Sequence, residues 1–206
     1  RFNTLIRRFY GDVSIAYTTT PFAIATVLTD AHDRVLIFHI GEQITDVAFV
    51  KDGMFLYQHS FPIGMYNLFH IMHEKGVPRG QTNALLDGYK MNAIHDEKRR
   101  IVEDSLKLFS AMWSEGLTSI FTTGFFGFST PERALILCDD RFALFFQTAI
   151  TTNPFTTHSG AASKISCSFI TPLLFTGTIA TPPDGNTDAV GLLITKFSTM
   201  HHDATL

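Results

Sequence analysis

Apolar and polar positions divide the chain into short strand-like runs and longer helix-like stripes. Residues 35–40 form an unbroken apolar run save for His39, the pattern of a strand covered on both faces. Residues 47–50 and 54–61 flank Lys51, Asp52 and Gly53, and an Asp-Gly pair between apolar runs predicts a tight hairpin. With the glycine turn after Ile40, residues 34–64 are expected to meander as three strands. A helix is predicted over 65–75, and a short helix or loop over 79–91. The strongest helix signal spans 96–115, where Val102, Leu106, Phe109 and Trp113 recur at helical spacing and Leu108 and Met112 widen the stripe. Gly116 is read as its end. Residues 118–121 and 134–138 then predict strands, 140–150 a helix, and 165–170 an edge strand reached through a Thr- and Ser-rich loop. Asp184, Gly185 and Asn186 predict a turn, and the tail from His201 is expected to fray.

Composition narrows the function classes. Sixteen Lys and Arg stand against 19 Asp and Glu, a formal charge of -3, which leaves no electrostatic footprint for nucleic acid. Lys98, Arg99 and Arg100 read as the solvated face of a helix. Phe numbers 20, yet no apolar run approaches the roughly 20 residues that a membrane-spanning helix needs. The apolar surplus is expected in a core or a partner surface. Cys138 and Cys167 sit in apolar strand-like runs and read as small buried residues. With no secretory leader in view, a cytoplasmic location is expected. The chain lacks GxSxG and GxxxxGK[ST] patterns, so neither a serine nucleophile elbow nor a P-loop is expected.

Residues 39–46, HIGEQITD, resemble the Asp-x-Gly-Gly-Gly-Thr-Thr-Asp turn of actin-like ATPases of the cell-division FtsA and pilus-assembly PilM type. Gly41, Thr45 and Asp46 match that pattern, whereas His39 replaces its leading Asp and Glu42, Gln43 and Ile44 replace Gly-Gly-Thr. In such families the Asp holds magnesium through water and the small residues let amides approach the phosphates. An imidazole is a poor ligand for a hard cation, and the Glu42 carboxylate repels phosphate. The FPIG at 61–64 resembles the end of the family's third strand; 13–17 and 21–29 resemble its linking strand and helix; DAVGLL at 188–193 resembles its closing helix. A Leu-Thr-Gly-Gly-type turn against adenosine has its nearest counterpart in FTTGFFGF, which keeps Gly124 but sets Phe125 and Phe126 where a small residue belongs.

The resemblance implies an α/β, RNase H-like (actin-like ATPase) domain, with a mixed sheet containing an antiparallel three-strand meander and flanking helices. Residues 1–30 would end a first actin-like subdomain and 31–206 form the second, with a helical insertion around 77–116. The start at Arg1, not Met, fits a fragment lacking the first half of that fold and hence half of a nucleotide site. Gly41, Thr45, Asp46 and Gly124 are then a vestigial nucleotide site with no cofactor. The implied role is a non-catalytic scaffold that binds pilus or division proteins, or further copies of itself, at the cytoplasmic side of a membrane machine. Two other readings stand beside it. One is an active ATPase using ATP and magnesium once the other half completes the cleft, with Thr45 and Asp46 contacting phosphate or hydrated metal.

The other is a metal-dependent hydrolase built on Asp139, Asp140 and histidines. Those two acids fall at the carboxyl end of a predicted strand, where open α/β sheets bind ligands, although an Asp there is more commonly a helix N-cap. His70 and His73 lie three apart and could join His59 around zinc, but HIMHE matches neither HExxH nor HxxEH, and a surface role is the simpler expectation. His39 ends the buried run and is expected to be a core histidine bonded to a backbone carbonyl.

Overall fold

The computed structural model describes residues 18–28, 34–124, 131, 133–152, 165–175 and 188–203. Its strands are β1 (Arg34–Ile40), β2 (Thr45–Lys51), β3 (Met54–Phe61), β4 (Arg133–Leu137) and β5 (Ser166–Phe169). Its helices are α1 (Thr20–Leu28), α2 (Met65–Glu74), α3 (Thr82–Lys90), α4 (Asp96–Gly124), α5 (Ala143–Thr152) and α6 (Ala189–Asp203). The expected strand at 13–17, the turn at 184–186 and residues 125–130 after Gly124 lie outside the described residues.

One five-stranded sheet, ordered β3-β2-β1-β4-β5, organises the molecule. β1, β2 and β3 pair antiparallel, as the meander predicts, while β4 runs parallel to β1 and β5 parallel to β4. Asp52 and Gly53 at the β2–β3 turn both have positive φ, 51° and 72°, the two left-handed positions that a type I′ hairpin requires. The parallel β1/β4 pair needs a long crossover, supplied by α2, α3 and α4.

Side-chain alternation divides the core into two layers. Leu36, Phe38, Val47, Phe49 and Ile136 face Leu68, Met72, Phe109, Trp113 and Phe146 of α2, α4 and α5. Val35, Ile37, Ala48, Val50 and Leu135 face Ile24 of α1 and Leu192 and Leu193 of α6. Phe22 and Phe197 tie those two helices together, edge to face at 6.3 Å. Covered on both sides, β1 is apolar almost throughout for that reason, whereas β3, at the sheet edge, is mostly exposed or half-buried.

Three expectations need correction. Residues 118–121 are not a strand, because α4 continues through them to Gly124. Gly116 does not end the helix either. It lies where α4 crosses Phe61, and a Cβ there would stand 2.6 Å from the Phe61 ring. The glycine serves close packing, while Leu117 and Ile120 carry the buried stripe onward. Of the tail from His201, residues 201–203 continue α6 as helix, and 204–206 lie outside the described residues.

Candidate functional site

The turn at residues 41–44, which most resembles a phosphate cradle, is anchored to the next helix. The Gly41 amide donates to the Ile44 carbonyl at 2.9 Å, closing the turn. At the start of α2 the Met65 and Tyr66 amides donate to the carbonyls of Gly41 and Glu42, at 3.0 and 2.6 Å. The first amides of a helix are ordinarily unpaired and suited to anions, so these two are already committed. The Gly64 amide donates to Asn67 Oδ1 at 2.9 Å. A Cβ at Gly64 would lie 2.5 Å from the Gly41 oxygen, so this approach requires glycine.

Thr45 pairs with Ile40 across the hairpin and is wholly buried. Its hydroxyl donates to the Ile63 carbonyl at 2.7 Å and accepts from Trp113 Nε1 at 3.1 Å, joining β2, α4 and the segment before α2. One step along the ladder His39 faces Asp46, with Nδ1 3.1 Å from Oδ2. His39 is thus satisfied by a carboxylate and not by the expected backbone carbonyl. Ser60 of β3 donates to the other Asp46 oxygen at 2.5 Å. The His39 hydrogen bond is the main cause holding the Asp46 carboxyl below its ordinary range, outweighing burial, with Ser60 adding to it.

Beyond His39 lies an open crevice of about 680 Å³ at the carboxyl ends of β1, β4 and β5, bordered by the start of α6. Asp139, Asp140 and Asp188 line it, and no Lys or Arg does among the described residues. Asp139 accepts from the Arg141 amide at 2.9 Å and grips the Arg141 guanidinium, which holds its carboxyl below the usual range. That arrangement matches the N-cap expected here, around the 3₁₀ turn Asp140–Phe142. Asp188 caps α6, accepting from the Gly191 amide at 2.6 Å, so a carboxylate of the chain itself occupies the helix N-terminus. Burial, reinforced by Asp140 and Asp139, pushes the Cys138 thiol up to about 12, far from a nucleophile's range.

Gly41, Thr45 and Asp46 therefore share one hairpin, whereas Gly124 is the last residue of α4. The turn that follows a strand beside β1 is at Cys138, Asp139 and Asp140. The histidines disperse: His70 faces Glu74 at 3.4 Å, His73 meets Thr82 at 3.1 Å, and His59 stacks on Tyr57. Among the described residues no cluster of three His, Cys, Asp or Glu is placed to hold a metal ion. The His39–Asp46 pair was missed from sequence although the turn length implies it, since closing residues 41–44 sets 40 opposite 45 and 39 opposite 46. Trp113 carried no such signal, because its partner lies 68 residues away.

By sequence, the chain matches no protein-family model and no curated protein. By structure it is similar to the ethanolamine utilization protein EutJ from Carboxydothermus hydrogenoformans, with a TM-score of 0.51 and 15% identity over 86% of this chain and 54% of that one. It is also similar to a chain of the PilM-PilN type IV pilus biogenesis complex, with a TM-score of 0.55 and 12% identity over 92% of this chain and 55% of that one. The chain thus spans just over half the length of each. Identity this low speaks to architecture alone. That architecture, a mixed five-stranded sheet with helices on both faces, is the α/β fold of the actin-like ATPases.

Proposed function

We propose that this chain belongs to a protein whose actin-like nucleotide cleft has lapsed and which works as a non-catalytic scaffold, binding protein partners of a membrane machine from its cytoplasmic side. On this reading residues 1–30 end one actin-like subdomain and 31–206 make up the second, with the segment around 77–116 inserted. One observation carries the proposal: the Thr45 hydroxyl, which the resemblance would assign to phosphate or hydrated metal, is buried and bonded to Ile63 and Trp113. The surroundings agree with it. Exposed Glu42 replaces a small residue on the turn, and three carboxylates line the neighbouring crevice. A carboxylate about 4 Å from a phosphate charge costs roughly 1 to 4 kcal/mol, depending on solvent access. The similarity to a chain from a PilM-PilN complex supports a role exercised through protein contacts, and no described helix is long and apolar enough to cross a membrane.

Calorimetric titration of the longest natural chain containing this domain with ATP and magnesium tests the reading. The expected result is no binding heat and no thermal shift at millimolar nucleotide, where even a modest site adds measurable stability. Micromolar ATP binding that Asp46→Ala abolishes would instead establish a working nucleotide site and defeat the scaffold.

A further inference from the structure

We propose that the crevice at the carboxyl edge of the sheet receives a basic, amphipathic segment of a partner protein, its Lys or Arg side chains meeting the acidic rim and its apolar ones the α6 wall. The inference rests on the scaffold reading and assigns it a docking site and a partner chemistry. Two features of the crevice act together. Val190 and Ile194, one helical turn apart at the start of α6, remain 36% and 56% exposed on its wall, above the buried Ile170. Asp139, Asp140 and Asp188 form the acidic part of the lining, with no Lys or Arg among the described lining residues. Arg141 pairs with Asp139 of these three, and also faces Asp87 at 3.8 Å. A carboxylate offers about four acceptor sites, and the Gly191 amide takes one of those on Asp188.

Charge complementarity selects the occupant. An anion meets like charge along the rim, whereas the rim carboxylates attract a cation. A small cation would answer the carboxylates but leave Val190 and Ile194 in water. A peptide segment bearing both kinds of side chain covers both, in a crevice whose volume of about 680 Å³ falls in the range of binding clefts. The acidic rim sets orientation and approach rate, while the apolar wall supplies the burial that holds the segment.

The test uses the full natural chain and three fluorescent probes: a peptide alternating Leu and Arg, its Leu and Glu counterpart, and labelled spermine. Fluorescence anisotropy should show saturable binding of the Leu/Arg peptide alone, weakening as salt rises. Asp140→Lys and Ile194→Ser, both at exposed positions, should each weaken it about tenfold, while Glu103→Lys, exposed on α4 at the opposite face of the sheet from α6, should leave it unchanged. Equal weakening by Glu103→Lys, indifference to Ile194→Ser, or spermine binding as tightly as the peptide would each overturn the docking site in favour of diffuse charge attraction. Failure of the Leu/Arg peptide to bind would overturn it as well. None of these outcomes touches the scaffold reading, which falls only if ATP and magnesium bind in the parallel titration.

Discussion

Thr45 and Asp46 are adjacent in sequence but do opposite physical work. Thr45 points into the α4 side of the sheet, where its hydroxyl pairs the Trp113 N–H and the Ile63 carbonyl away from water. Thr45→Val preserves shape but strands both partners. Each buried unpaired group costs about 1–3 kcal/mol, so urea melts should show a loss of at least that size, with Thr45→Ser retaining most of the stability. Asp46 lies on the other face, held below its usual carboxylate value chiefly by His39. Because its folded pKa is depressed, the native state binds fewer protons than the unfolded chain. Its contribution is complete above the unfolded value near pH 4 and is lost as pH falls through the lower folded value. Asp139, held down by Arg141, acts in the same direction. Urea midpoints should therefore drop from about pH 4 downward, and Asp46→Asn should lower stability at neutral pH while making the acid slope shallower.

At the scale of elements, two glycines determine how helices approach the sheet. A Cβ at Gly64 would meet the carbonyl oxygens of Gly41 and Glu42, at 2.5 and 2.7 Å, both backbone atoms that cannot swing aside. Gly64→Ala should force α2 away from the β1–β2 turn and cost about 1–3 kcal/mol, the usual range for overpacking. Gly116→Ala poses a sharper contest. Alanine in a helix interior gains about 0.5–1 kcal/mol over glycine, but here its methyl would meet the ring of buried Phe61. The clash should win, and a thermal melt should show Gly116→Ala destabilised despite its better helix propensity. This contact also explains where the sequence misleads. The meander was legible because an apolar run, a glycine turn and an Asp-Gly hairpin are local signals. Gly116 followed by Thr118, Ser119, Ile120 and Phe121 locally resembles a helix stop and a new strand. Only the distant Phe61 and the buried positions 113, 117 and 120 show that the helix continues.

For the whole molecule, the sheet separates a packed aromatic layer from a crevice edge, and the two can be watched independently. The site was less legible than the fold because its decisive contacts, Trp113 to Thr45 and Gly64 to Gly41, join segments far apart in sequence. Trp113, the only tryptophan, packs against Phe38, Phe61 and Phe146 and so reports on the aromatic layer. Cys138 lines the crevice beyond β4, with its thiol raised to about 12. At pH 8 roughly one such thiol in ten thousand is ionised, which makes alkylation of the native protein very slow. Unfolding returns the thiol to an ordinary value and to solvent. If β1 and β4 bind both layers into one cooperative unit, iodoacetamide labelling of Cys138, followed by mass spectrometry, should rise with urea along the same curve as Trp113 fluorescence. Labelling that precedes the fluorescence change would mean that the crevice edge opens while the aromatic layer stays folded, and a segment docked there would then have to order that edge as it binds.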